Sequence, residues 1–279
     1  MKSVKYIIIF VIVVLTIVLV RLFLVGSYRI TGDKMGYSLN SGDRILVNKL
    51  KSSTNPGPNR LVLYKSPLRR DASKPPLFTG RCIGIPGDVI QMGDEGFRVN
   101  GLLLPDAPMM QPTFRINKDI KEPLLSTLDS LRIPLRDIKE DSASILLRMS
   151  LREKELLLQN LSKVVPINII GEYNVGYEFI IPRKGVSINI NEISLLVCKE
   201  AIINEAGDAA RISDGKLFIN GEEKSSFSFR NDYYWILSEN ESEGVDSRHL
   251  GLIPKDYIIG NIWYCWYSKT PSHRFKKIR

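Results

Sequence analysis

The sequence predicts a mainly β protein with one N-terminal transmembrane helix and an inserted helical segment. Three observations lead there. Residues 6–25 form a membrane-length apolar run. From Ser27 onward the chain breaks into short apolar segments bounded by Gly, Pro, Asn and Asp, the pattern of strands joined by tight turns. Residues 118–165 then turn rich in Leu, Lys, Glu and Arg, a composition that favours helix.

The apolar run is interrupted only by Thr16 and Arg21, and a bilayer needs about 20 such residues to be crossed. Lys2, Lys5 and the terminal amine precede it, which favours a cytoplasmic N-terminus, although Arg21 and Arg29 beyond reduce the asymmetry. Arg21 lies near the end of the span, where its stem lets the charge snorkel to the headgroups. A cleaved signal peptide would need a shorter apolar core and a small-x-small exit, and residues 20–27 supply no good one. Residues 1–26 therefore read as an uncleaved anchor. The expectation is a single-pass protein of the cytoplasmic membrane, in contact with lipid, with its bulk on the extracytoplasmic side.

Beyond the anchor, residues 44–47 and 61–64 are strand candidates flanking a turn-rich stretch that contains Pro56, Gly57 and Pro58. Residues 87–101 and 207–221 read as two hairpins of one design, each opening on Gly-Asp and closing on Asn-Gly. Pro123 and Pro134 divide the first half of the 118–165 segment. In its second half Ile145, Met149, Leu156, Leu157 and Leu161 approximate one apolar helix face, with Asp141 or Ser142 as cap. A shorter helix is expected over residues 192–206, with Asn191 as N-cap and Gly207 past its end. The organisation that follows is a β core of residues 27–105 and 222–279 around an inserted region, residues 106–221.

A net charge of +9 could suggest nucleic acid, but the basic residues are scattered and no aromatic-basic recognition motif occurs. Basic surface beside an anionic bilayer is the more economical reading. Cys82, Cys198 and Cys265 lie far apart, so no metal-ligand spacing arises. Cys82 falls in an apolar run where a free buried thiol is the usual outcome, and a disulfide between two of the three stays open. No cofactor is expected.

Two segments carry the functional signal: SYRITGDKM, residues 27–35, running on into GDRILVNKL, residues 42–50, and RCIGIPGD, residues 81–88, preceded by Gly80. With RLVLYKSP at residues 60–67, DYYWILSENESEGVDSRHLGLIP at 232–254 and IIGNIWYCWYS at 258–268, in that order, the chain resembles type I signal peptidases. The resemblance covers nearly the whole chain except residues 118–165. It implies coiled antiparallel β-sheets held at the membrane surface. It also implies an extended substrate lying along a strand edge from Tyr28 through Ile30 to Gly32, opposite Phe78 and Thr79. Met35, Leu39 and Ile45 would help line the pockets for its small side chains. Such pairing is strand addition, which needs a free edge and no catalytic group.

The family's nucleophilic serine precedes the methionine, and its general-base lysine precedes the arginine of the second segment. Here those positions are Lys34 and Gly80. Lysine cannot serve as an acyl-accepting hydroxyl, and glycine has no side chain to act as base. Losing one member of such a pair removes most of the rate. The family's Gly-Asp-Asn-Arg-Asp is replaced by Ser-Glu-Asn-Glu-Ser at residues 238–242, while Asp246 and Arg248, which in the family brace the site, are retained. The expectation is an inactive membrane-anchored homologue. It would bind extended peptide or preprotein segments, or assist secretion or surface assembly, with residues 118–165 as the place for a dedicated partner. The alternative is an active signal peptidase with a rearranged site, for which Ser38, four residues after Lys34, is the remote candidate nucleophile.

Overall fold

A computed structural model describes residues 2–19, 24–32, 35, 38–50, 54–68, 75–93, 96–103, 113–133, 135, 138–149, 151–161, 168–170, 177–239 and 245–278. The largest unit is an eight-stranded, curled antiparallel sheet of half-barrel form. In chain order its strands are β1 (Val25–Arg29), β2 (Arg44–Asn48), β3 (Leu61–Lys65), β4 (Leu77–Gly84), β5 (Tyr233–Leu237), β6 (Ile253–Pro254), β7 (Ile258–Tyr267) and β8 (Lys276–Lys277). Their spatial order is β1-β2-β7-β3-β4-β5-β6, with β8 pairing on β7. The C-terminal β7 thus inserts between β2 and β3.

This placement explains the sequence of β3, Leu-Val-Leu-Tyr, in which every one of these residues is buried. A central strand covered on both faces has no polar side to present. Leu61 and Leu63 join the core formed with Ile30, Met35, Leu39, Ile45, Val47, Ile262 and Cys265. Val62 and Tyr64 face the opposite core with Cys82, Tyr234, Ile236, Leu250 and Ile253.

The helix α1 (Lys2–Leu19) precedes the sheet. Every side chain from Tyr6 through Leu15 is exposed, between 42 and 71%. Among the described residues no helix is long and apolar enough to cross a membrane. An 18-residue helix measures about 27 Å, against a hydrocarbon core of about 30 Å. The expected span ran to residue 25, but residues 20–23 lie outside the described part, and Val25 opens β1 instead of ending a helix.

The helix expected across Ile145 and Met149 is corrected by the structure. Residues Ser144–Arg148 are a strand, paired with Thr113–Asn117 on one side and Lys139–Glu140 on the other. Ile145 and Leu147 point into the core in strand alternation. The carboxylate of Asp141 accepts the backbone N–H groups of Ala143 and Ser144, at 2.9 and 2.6 Å, and so shapes a turn instead of capping a helix. Two helices do form in the segment, α2 (Lys121–Ser130) and α3 (Leu151–Asn160). Pro123 sits inside the first turn of α2, where its missing N–H would have had no helical acceptor. Phe114, Ile116, Leu124, Leu128, Ile145, Leu147, Met149 and Leu157 make a separate core there.

The helix α4 (Glu192–Ala206) has the expected bounds. The Asn191 side chain accepts from Ser194 N–H and the Ser194 hydroxyl accepts from Asn191 N–H, while Gly207 ends the helix at φ 61°. The two expected hairpins each run on into a third strand, Leu102–Leu103 in one and Glu222–Lys224 in the other. Each makes that final turn through an Asn-Gly pair in the left-handed region: Asn100 and Gly101 at 52° and 79°, Asn220 and Gly221 at 53° and 84°. Residues of the expected inserted region therefore divide between two cores. Those of α2 and α3 have their own, whereas α4 and the second hairpin share one with Ile83, Ile90, Trp235 and Leu237.

All three cysteines are free and buried, which closes the disulfide left open by the sequence. Burial pushes the Cys198 thiol up to about 12. Burial and then the charge of Asp43 push Cys265 to about 11.

Gly260, at the irregularity where β7 meets β3, is fixed by contact: a Cβ there would lie 1.8 Å from the Asn48 carbonyl oxygen. Gly260→Ala is expected to cost about 3 kcal/mol or more, since backbone must move to admit the methyl. Urea denaturation followed by tryptophan fluorescence would measure it, and an unchanged midpoint would refute it.

Candidate functional site

Arg81 is a charged residue in an otherwise apolar strand, and the fold supplies its partners from three other segments. Its Nη2 lies 2.5 Å from Glu239 Oε1, and its Nε donates to the same oxygen at 3.2 Å. Nη1 donates to the Asn59 carbonyl at 2.8 Å. The pair is nearly dry, with side-chain exposures of 5% for Arg81 and 1% for Glu239. Glu239 lies just past β5, after Ser238, so strand pairing between β4 and β5 brings the two together.

Ser38 completes the cluster. Its Oγ donates to Glu239 Oε1 at 2.8 Å and accepts from Arg81 Nη2 at 3.1 Å, and its backbone N–H donates to Glu239 Oε2 at 3.1 Å. The hydroxyl is buried, and both its proton and a lone pair are engaged. The arrangement ties the β1–β2 loop to the sheet.

Gly80, one residue before Arg81, pairs with Val62 of β3 and is buried. A Cβ at this position would stand 2.5 Å from Cγ2 of Ile236 and 3.0 Å from the Leu237 carbonyl oxygen. The place where the family carries its base thus lacks the side chain and also the room for one. Lys34 lies outside the described residues.

Asp246 forms a second buried cluster on the loop after β5. It caps the short helix α5 (Ser247–Leu250) by accepting from Arg248 N–H at 3.0 Å, and it accepts from Ser238 N–H at 2.8 Å. Arg248 closes on it through Nε at 3.1 Å and Nη2 at 2.7 Å. Burial acts to raise the carboxyl, but hydrogen bonds from His249 and Arg248, the Arg248 charge and the Ser238 N–H outweigh it, so Asp246 stays below its ordinary value.

Of the residues expected to line a peptide groove, Met35, Leu39 and Ile45 are fully buried in one core together with Ile30, and expose no surface. Tyr28 is partly buried in β1 opposite Ile45, with Lys49 Nζ 5.8 Å from its ring centre. Ile30 is tied to the β2 side: its N–H donates to Asp43 O and its carbonyl accepts from Gly42 N–H. Gly32 is exposed at φ 79°. Phe78 and Thr79 pair with Tyr64 and Leu63 of β3. On their other side no described strand pairs with them, because β5 begins its pairing only at Arg81. The outer edge of β1 likewise has no described partner.

Sequence reasoning did not single out Arg81, Glu239 or Asn59. A usable signal was present, since an arginine inside an apolar strand requires a buried counter-ion, and Glu239 follows the apolar run Tyr-Tyr-Trp-Ile-Leu.

Removing one member of a buried pair leaves the other uncompensated. Glu239→Gln is therefore expected to cost about 3 kcal/mol or more, and Ser38→Ala about 1 kcal/mol, both read by urea denaturation. Equal costs would show that the pair is not the centre of the cluster. Asp246 gives a pH test. A depressed carboxyl contributes stability that is present above the ordinary value of 3.8 and lost as pH falls through its lower folded value. The acid limb of the melting midpoint below pH 4 should be flatter in Asp246→Asn than in the native protein, and a parallel limb would contradict this.

Comparison with known proteins agrees with this geometry. The sequence model of the family described as signal peptidase, peptidase S26, matches residues 3–143. The chain is 29% identical over 121 residues to the inactive signal peptidase IA of Staphylococcus aureus, covering 43% of this chain and 63% of that protein. It is 33% identical over 95 residues to signal peptidase I of Bacillus caldolyticus, covering 33% of this chain and 47% of that one. A probable signal peptidase I-2 of Synechocystis is 24% identical over 106 residues, covering 31% of this chain and 49% of that protein. The chain thus spans less than two thirds of the length of the curated relatives it matches. The matched residues include β1 to β4 with Ser38, Gly80 and Arg81, and on that ground the chain belongs to the signal peptidase S26 family.

Proposed function

We propose that this chain is a catalytically inactive signal peptidase homologue, anchored in the cytoplasmic membrane, that binds extended peptide or preprotein segments outside the cytoplasm. One observation carries the reading: the position of the general base is a glycine closed over by Ile236 and the Leu237 carbonyl. A base cannot be recruited there by a small shift. The family likeness to a protein named an inactive signal peptidase supports it.

Binding of this kind needs a strand edge, and two stretches have no described strand along one side. The outer edge of β1, continuing through Ile30 to Gly32, has no described partner strand, and the Phe78–Thr79 stretch of β4 pairs with β3 on one side while β5 does not reach it on the other. On this reading they accept an extended segment by strand addition. Met35, Leu39 and Ile45 would then support the groove from within the core instead of touching the peptide, and Asp246 with Arg248 would brace the β5 loop beside it.

Membrane attachment is supported by α1, whose apolar side chains are exposed on every side. Such a helix has no reason to remain in water. Trp263 and Tyr267, exposed on β7, and the exposed Lys276 and Lys277 on β8 suit the headgroup region of an anionic leaflet. The unit containing α2 and α3 has its own core, and we assign to it the contact with a secretion or assembly partner.

The alternative reading, an active peptidase with a rearranged site, is favoured by the Ser38–Glu239 hydrogen bond. The two readings separate in one experiment. Purified full-length protein in detergent is incubated with a preprotein beside an active signal peptidase, and an extended peptide from the same preprotein is titrated by fluorescence anisotropy. No cleavage with saturable binding is the expected result. Cleavage abolished by Ser38→Ala would establish the alternative, and neither cleavage nor binding would refute both.

A further inference from the structure

We infer that Gly80 is a structural glycine, and that the Cγ2 methyl of Ile236 locks the base position shut. Catalytic loss in this chain is then held by packing and is independent of which side chains are missing. The inference rests on the inactive reading proposed above and deepens it, because it concerns the fold's dependence on this glycine; it holds whether or not the chain binds peptide.

Several observations converge on it. Gly80 lies in the middle of β4 without a left-handed φ, so backbone conformation gives glycine no advantage there. A glycine inside a strand weakens it unless another group approaches closely. The approaching group is the branch methyl of Ile236, 2.5 Å from the position of a Cβ, with the Leu237 carbonyl oxygen at 3.0 Å. Ile236 cannot swing away freely: it is fully buried, packed with Val62, Tyr64, Cys82, Tyr234, Leu250 and Ile253, and a β-branched side chain has few χ1 choices. Its backbone N–H is also held by Ser247 Oγ at 2.9 Å. The strand pairing of β4 and β5 steps irregularly between Trp235 and Ile236, which sets Ile236 opposite Cys82 and Leu237 opposite Arg81. The Arg81–Glu239 pair fastens the following residues. Glycine at 80 and isoleucine at 236 therefore form one fitted pair.

The test is a cycle of variants read by thermal melting. Trp235, Trp263 and Trp266 all lie in the main sheet, so their fluorescence reports its unfolding and not that of the unit with α2 and α3. Gly80→Ala is placed in three backgrounds: native, Ile236→Met and Ile236→Val. Methionine keeps most of the volume but has no branch methyl, whereas valine retains it. Gly80→Ala should lower the midpoint by roughly 4–10 °C in the native and valine backgrounds and by less than about 2 °C in the methionine background. Gly80→Ala that fails to fold in the native protein but folds with Ile236→Met also supports the lock. Equal losses in all three backgrounds, no loss in the native one, or failure to fold in both the native and methionine backgrounds would overturn it. Because the readout is stability alone, failure of the lock and failure of the peptide-binding reading are separately visible.

Discussion

Arg81 sits inside β4, where the neighbouring residues are apolar and its side chain is 5% exposed. A guanidinium in that position is tolerable only if its charge and its donors are met by protein groups, and here they are met by Glu239 after β5, Ser38 in the β1–β2 loop and the Asn59 carbonyl before β3. One ion pair thereby fixes the mutual positions of segments far apart in the chain. Glu239 cannot leave without stranding Arg81, and Ser38 is bound through both hydroxyl and backbone to the same carboxylate. The pair contributes less through its own strength than through the penalty that attaches to separating it.

The closed position at Gly80 follows from that anchorage. With Leu237 set opposite Arg81 and Glu239 bonded to its side chain, the end of β5 has no freedom to withdraw from β4. Ile236 must then occupy the space beside residue 80, and only a residue without Cβ is admitted. The same scaffold that would orient a catalytic base instead excludes one. The strand edges beyond Arg81 are untouched by this closure, since β5 does not extend along Phe78 and Thr79.

Around this centre the molecule is built from parts with separate cores. The unit of α2 and α3 carries its own, while α4 and the paired hairpins pack against the end of the main sheet through Trp235, Leu237 and Phe179. The apolar surface of α1 is unlike either, being exposed all around. Each part therefore presents a different surface: a helix with exposed apolar side chains, a sheet whose β1 edge has no described partner strand, and a compact α+β unit.

Local signals in the sequence determined a good deal. The Asn191 cap and Gly207 bounded α4, because a capping box and a left-handed glycine act within a few residues. The Asn-Gly pairs stand at the turns into Leu102–Leu103 and Glu222–Lys224. The segments of residues 27–50 and 81–88 carried the family, and the residues at 34 and 80 showed that its dyad is missing. Where two local patterns competed, sequence was insufficient: Ile145 and Met149 fit a helix face, yet pairing with Thr113–Asn117 made a strand, since long-range hydrogen bonding outweighs a weak period. Only tertiary structure decided that Arg81 meets Glu239 and Ser38, and that Ile236 closes over Gly80. Glu239 is 158 positions from Arg81 and 201 from Ser38, and the register of such contacts depends on strand pairing that no local pattern encodes.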